Sequence, residues 1–133
     1  MTTLAPGLTA TVELIVGESD LAMAFASGAV AVLATPRLIG LLEEAAFEAV
    51  QPVLAEGLTT VGVRVDVRHL AATPPGMRVT ASAELIEVEA RVLRFRVQAH
   101  DERELVMEGM HERAVVKRAR FLERVAQKAR VEK

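Results

Sequence analysis

Three polar side chains stand where a helix and a strand of this sequence should be apolar: a hydroxyl, a carboxylate and an imidazole, a set suited to proton transfer or nucleophilic attack. The carboxylate is Glu43. It lies in PRLIGLLEEAAFEAVQPVL, which reads as one helix from Pro36 to about Leu54, with Thr35 at the N-cap and Pro36 at the first helical position. At about 100° per residue, Arg37, Glu44, Glu48 and Gln51 form a polar stripe, with Leu38, Leu42, Ala45, Ala46, Ala49, Val50 and Val53 opposite. Glu43 falls roughly 110° from the centre of that stripe, among Ile39, Ala46, Val50 and Leu54. A lone charge is too costly to bury there, so it must be paired, protonated or used.

The imidazole is His69. It ends the strand TVGVRVDVRHL, in which Val61, Val63, Val65 and Val67 alternate with Gly62, Arg64, Asp66 and Arg68. One face should be buried and the other polar, and His69 continues the buried row. Each of the three residues has an ordinary use when taken alone: capping for Thr35, snorkelling or an arginine partner for Glu43, a solvated strand end for His69. Their conjunction is what points to chemistry.

The elements that must position them follow in a simple order. A first strand runs from Thr9 to Val16, with Ala10, Val12, Leu14 and Val16 on one face. Ser19 or Asp20 should cap a short helix through about Ala26, Gly28 should break it, and Val30 to Ala34 should lead extended into the long helix. After the helix, Glu56-Gly57 turns the chain into the valine strand. Pro74, Pro75 and Gly76 cannot continue a ladder, so AATPPG at 71–76 reverses it again. MRVTASAELIEVEA, RVLRFRVQAHD and LVMEGMHERAVVKR supply three more strands, with Val92, Phe95, Val97 and Ala99 as the apolar positions of the second. A helix begins at about Ala119. This is an α+β pattern: an antiparallel sheet of five strands, one dominant helix, and an edge free to pair with a twin chain.

Composition narrows the possible functions. The 133 residues suit a single domain, 1–133, with one core. A net charge of −2, from 16 basic and 18 acidic residues interspersed, argues against a nucleic-acid-binding stripe. The basic C-terminal stretch is broken by Phe121, Leu122, Val125 and Ala129 at helical spacing, so it should pack on the body or on a partner chain. With no cysteine there is no disulfide and no thiolate chemistry, and His69, His100 and His111 lack close metal-ligand spacing, so no metal is expected. The uncharged stretch from Leu21 to Thr35 is shorter than the roughly 20 residues a membrane helix needs, so no membrane role is expected. MTTLAPG has neither a basic leader nor a hydrophobic signal core, which suggests a cytoplasmic protein. The absence of asparagine, with much Arg, Glu, Ala, Leu and Val, resembles a heat-adapted composition.

Three segments, VLATPRLIGLLEEA, VRHLAATPPGMRVTASAEL and GMHERAV, resemble the hot-dog-fold thioesterases similar to fluoroacetyl-CoA thioesterase, in colinear order from about Val30 to Val116. The resemblance implies a five-stranded antiparallel sheet wrapped around the long helix, a homodimer that could pair further into a tetramer, and acyl-CoA bound near the dimer interface without any separate cofactor. It implies catalytic roles for Thr35, Glu43 and His69, with Gly62 and Arg113 in support. Glu43 would attack the thioester carbonyl or activate water, and His69 would transfer protons. Thr35 would orient Glu43 or bind the acyl group. Bulky aromatic residues close the pocket of the fluoroacetyl-selective member, whereas the matching lid positions here are Ala26 and Ala29, with Phe25 the nearby aromatic. An open site without fluoroacetyl selectivity is expected. Two other functions fit the same fold: a non-catalytic acyl-CoA-binding dimer, and an enoyl-CoA hydratase or dehydratase, which Glu43 suits less well than an aspartate would.

Overall fold

The computed structural model describes residues 3–130. Alternating apolar residues build five strands, β1 (Thr9–Ile15), β2 (Leu58–His69), β3 (Arg78–Glu89), β4 (Val92–His100) and β5 (Leu105–Lys117). They form one antiparallel sheet in the order β1-β3-β4-β5-β2. The long helix α1 (Thr35–Val50) packs across this sheet, chiefly on β1 and β3. This is the wrapped-helix, hot-dog arrangement that the sequence led us to expect.

Helix and sheet meet in one dry core. Leu38, Leu41, Leu42, Ala45, Ala46, Ala49 and Val50 of α1 are buried against Val79, Ala81, Ala83 and Leu85 of β3 and Leu93, Phe95, Val97 and Ala99 of β4. Small alanines on both sides let helix and sheet approach closely, while the leucines fill the remaining volume. In β4 the buried residue is Leu93 and not the expected Val92, which is 38% exposed, because β4 opposes β5 with Leu93 against Arg113 and Phe95 against His111.

The valine strand departs from a simple alternation. Gly62 pairs with Arg113 and Arg64 pairs with Glu112, which leaves Val63 as an extra residue in a β-bulge. The bulge switches the inward face from even to odd positions, because side chains alternate with a period of two. Thr60 and Gly62 face inward before it, and Val65, Val67 and His69 face inward after it, opposite His111, Gly109 and Met107. The four valines therefore do not form one buried row. Val61 lies on the other face, and Val63 and Val65 are 56% and 41% exposed on the outer edge of the sheet.

Smaller departures have local causes. The expected short helix after β1 is two 3-10 turns, Glu18–Asp20 and Ala22–Phe25, tied down by a bridge between Leu21 and Leu33. Neither Ser19 nor Asp20 caps it; Gly17 takes the N-cap and donates its N–H to the Asp20 carboxylate at 2.8 Å. The α-helix stops at Val50, and Gln51–Val53 tightens into a 3-10 turn around Pro52, whose ring cannot continue the α ladder. The second helix, α2 (Arg118–Ala129), begins at the end of β5 and buries none of its residues.

Gly109 of β5 shows how closely β5 and β2 approach. A Cβ there would run into the backbone of Asp66 and Val67. Gly109→Ala should therefore lower unfolding stability by about 1–3 kcal/mol, the usual cost of overpacking, as read by urea denaturation.

Candidate active site

The hydroxyl and the imidazole meet. Thr35 Oγ1 lies 2.7 Å from His69 Nδ1, across 34 residues of sequence. Ala34 takes the N-cap of α1 and Thr35 is the first helical residue, so the expected capping role passes to its neighbour and the Thr35 hydroxyl turns to His69 instead. The other ring nitrogen, Nε2, is buried and has no hydrogen-bond partner among the described residues. An unpaired buried polar atom is costly, and that cost is commonly retained where a ligand or reacting group completes the site. Burial also holds the His69 pKa below the usual 6.5, with the Ala71 backbone opposing it in part, so the ring favours its neutral form.

Several backbone contacts fix this pair. Leu33 N–H donates to the Thr73 carbonyl at 2.9 Å and Ala34 N–H to the Asp20 carbonyl at 2.8 Å, which holds the start of α1 between the 3-10 turns and the AATPPG turn. Arg37 Nε donates to Asp20 Oδ1 at 2.9 Å. Thr73, fully buried, donates its hydroxyl to Asp101 at 3.0 Å and ties the turn to the end of β4. A cleft of about 470 Å³ opens beside Thr35 and His69, with Ala22, Ser27, Gly28 and Val30 on its other wall. The lid candidates Phe25, Ala26 and Ala29 do not line it, and Phe25 is 41% exposed.

Glu43 occupies a second place. It follows Thr35 by eight residues, about 12 Å along the helix axis, and no hydrogen bond joins it to Thr35 or His69. It is half-buried on the face of α1 that it shares with Ile39, Ala46 and Val50, and its carboxylate reaches the Gly62 region of β2. A Cβ on Gly62 would lie 2.9 Å from Glu43 Oε2 and 3.5 Å from Arg113 Nη1, so the missing side chain of Gly62 is what makes room for the carboxylate.

Arg113 is buried and held on every side. Its Nε donates to Thr60 Oγ1 at 2.8 Å, Nη2 donates to the Thr60 carbonyl at 3.1 Å, and the guanidinium lies 5.9 Å from the Phe47 ring centroid. Nη1 lies 3.1 Å from His111 Nε2. His111 Nδ1 is 2.8 Å from the Arg64 carbonyl, which can only accept, so Nδ1 carries the proton and Nε2 accepts from Arg113. Burial first, and the Arg113 charge in addition, push the His111 pKa below 6.5 against the opposing pull of the Arg64 carbonyl, Glu43 and Glu112. Burial also lowers the Arg113 pKa, which Glu43 counters. The result is a fixed positive group beside the Glu43 carboxylate, with no ion pair closer than 4 Å among the described residues to tie that carboxylate down.

Comparison with known proteins agrees with this fold. The model of the family described as fluoroacetyl-CoA-specific thioesterase matches residues 16–119, a span that contains Thr35, Glu43, Gly62, His69 and Arg113. The chain belongs to this family. Among members of this thioesterase family, the fluoroacetyl-CoA thioesterase of Streptantibioticus cattleyicolor is 45% identical over 97 residues, 73% of this chain and 70% of that protein. A solved fluoroacetyl-CoA thioesterase superposes with a TM-score of 0.89 at 35% identity, over 97% of this chain and all of the other. A threonine-to-serine variant solved with acetyl-CoA gives a TM-score of 0.89 at 34% identity, over 96% of this chain and all of that chain.

Sequence reasoning missed His111, Thr60, Thr73 and Asp20. His111, 1% exposed, alternates in β5 with Met107, Gly109 and Arg113, and that period of two was the available signal; Asp20 read only as a cap, and Thr60 and Thr73 had no local signal. The two buried histidines make a testable pair. Both have folded-state pKa values below the ordinary 6.5, so protonation favours the unfolded chain. Stability should be full above pH 6.5 and fall as the pH drops below it towards the folded values, whereas Asp20 and Asp101, held below 3.8 by hydrogen bonds that outweigh their burial, act only at lower pH. Thermal denaturation should show Tm falling from pH 7 to 5, with a shallower slope in His111→Gln, which keeps an acceptor for Arg113.

Proposed function

We propose that this protein is a homodimeric acyl-CoA thioester hydrolase whose reaction site combines Thr35 and His69 of one protomer with Glu43 of the partner subunit. The observation that carries the reading is the pairing of the Thr35 hydroxyl with His69 Nδ1, which leaves Nε2 buried and open. The 12-residue edge strand β2 supports the dimer, since among the described residues it pairs only with β5 and leaves Val63 and Val65 exposed. Joining two such edges antiparallel brings the Gly62 region of one protomer towards the His69 end of the other. Glu43, about two helical turns from its own Thr35, then serves the neighbour.

The chemistry uses groups with complementary roles. The Thr35 hydroxyl donates to Nδ1, so neutral His69 presents Nε2–H to the thioester oxygen as charge develops on it. Glu43 delivers oxygen to the acyl carbon, directly or by taking a proton from water. The C–S bond breaks, the thiolate takes up a proton as CoA, and water supplies the oxygen and hydrogen that yield the free acid. Arg113, braced by Thr60 and His111, places positive charge beside Glu43 without engaging it in an ion pair.

The cleft beside Thr35 is walled by Ala22, Ser27, Gly28 and Val30, and no phenylalanine lines it among the described residues. That supports short acyl-CoA substrates without selectivity for the fluoroacetyl group. Release of free thiol from fluoroacetyl-CoA and acetyl-CoA should proceed with kcat/KM values within about tenfold of one another, since small-group discrimination by an open apolar pocket is modest. Glu43→Gln and His69→Ala should each reduce turnover by about 10²–10⁴-fold. Acyl-CoA bound without thiol release by the wild type would instead mark a binding protein.

The shared site has a direct test. Glu43→Ala and His69→Ala chains, each inactive alone, should recover about a quarter of wild-type activity when co-folded, because half of the random dimers carry one intact site of two. Absence of recovery in confirmed heterodimers would place all three residues in one protomer. Gly62→Ala should lower kcat by about 10²-fold through displacement of the Glu43 carboxylate, with little change in Tm.

A further inference from the structure

Asp20 is a buried charge, 8% exposed, that the chemistry above does not use. Its Oδ2 accepts from Gly17 N–H at 2.8 Å, its Oδ1 accepts from Arg37 Nε at 2.9 Å, and its carbonyl accepts from Ala34 N–H at 2.8 Å. Burial by itself would raise the pKa of this carboxyl, yet Gly17 N–H and Arg37 together hold it below 3.8. It is therefore a carboxylate at neutral pH. The Gly17 bond closes the 3-10 turn in which Asp20 lies, whereas the other two reach across to the start of α1.

Those two bonds bracket Thr35, one on Ala34 before it and one on Arg37 after it. Ala34 makes no side-chain capping bond and the first turn of α1 holds no acidic residue, so Arg37 would stand uncompensated at the positive end of the helix dipole. Asp20 brings the missing negative charge from outside the helix. It also sits at the neck of the loop that walls the cleft, where Leu21 bridges Leu33 and Ala22 N–H donates to the Val32 carbonyl at 2.9 Å. His69 is held from the other side, because the next residue, Leu70, donates its N–H to the Val106 carbonyl at 2.7 Å. The sheet fixes the imidazole and Asp20 fixes the hydroxyl.

Building on the hydrolase reading above, we infer that Asp20 is a positioning residue: through Arg37 it fixes the first turn of α1, so that the Thr35 hydroxyl stays on His69 Nδ1. When that hold is lost, Thr35 moves off the ring and the imidazole loses the partner that selects its tautomer. A displacement of about 1 Å in such a pair lowers a rate by up to about 10²-fold.

The test is Asp20→Asn, which preserves the backbone bond to Ala34 and the size of the side chain but leaves one oxygen for two donors. Two readouts are taken on the intact protein: thiol release from acetyl-CoA, and NMR of the His69 ring nitrogens, which reports the tautomer whether or not a thioester is cleaved. The variant should lower kcat by about ten- to a hundredfold with KM within about twofold, and should turn the single tautomer of the wild type into a mixture. In an Arg37→Gln background, Asp20→Asn should add less than about twofold, since both changes break one contact. Leu85→Ala, a cavity in the buried core on β3, is the control for lost stability: it should lower Tm and leave both kcat and the His69 signals in place. His69 signals that do not change in Asp20→Asn, or that change equally in Leu85→Ala, would overturn the positioning role. Wild-type thiol release with the same kcat in Asp20→Asn would also overturn it and leave the hydrolase standing. A tautomer shift in Asp20→Asn, in a protein that cleaves no thioester, would support the hold on Thr35 and remove the hydrolase.

Discussion

One extra residue in an edge strand sets the layout of the whole site. Gly62 and His69 are seven positions apart, so on a regular strand their side chains would point to opposite faces. The bulge at Val63 turns both inward, and with them Thr60, which anchors Arg113. Without it, a strand carrying His69 towards Thr35 would turn Gly62 away from α1, and the Glu43 carboxylate would meet a different residue. The two halves of the chemistry hang on this local break in the ladder.

Around that break the protein maintains a polar enclave in an otherwise apolar interior. Arg113, His111 and Thr60 are each less than a tenth exposed, and every contact among them is a directed hydrogen bond. Such a network is stable only when it is satisfied, because the low local dielectric that strengthens each bond also raises the penalty for a missing one. His111 must remain neutral to accept from Arg113, and burial provides that condition. The contrast with His69 is informative. Both imidazoles are held neutral by burial, but His111 has a partner on each nitrogen and is structural, whereas His69 has one partner and an open nitrogen.

The same sheet also separates positions along its length. Thr35 and His69 lie at one end of β2, and Glu43 and Gly62 near its middle. A single chain spreads these out along a strand, and the proposed twofold pairing of edges would fold them back upon one another. In that arrangement the dimer would do more than add stability, since each protomer would hold groups of little use to its own site.

Much of this was legible in the residues. The succession of strands and helices along the chain, the apolar face of α1 and the turn at AATPPG follow from periodicity and from proline and glycine chemistry, which act locally and survive in any context. That Thr35, Glu43 and His69 are exceptional was also visible, because each interrupts a pattern. Their mutual arrangement was not. Thr35 reads as an N-cap by local preference, and only a partner 34 residues away converts it into a ligand of His69. The valine row reads as one buried face, and only the pairing with β5 shows that Val63 is surplus. The sequence by itself determined which residues are apolar, which are polar and where the chain must turn, since those depend on neighbours a few positions away. Tertiary structure decided which polar groups meet, because strand register and helix placement are set by contacts among residues far apart in the chain, and a shift of one residue reverses every side chain beyond it.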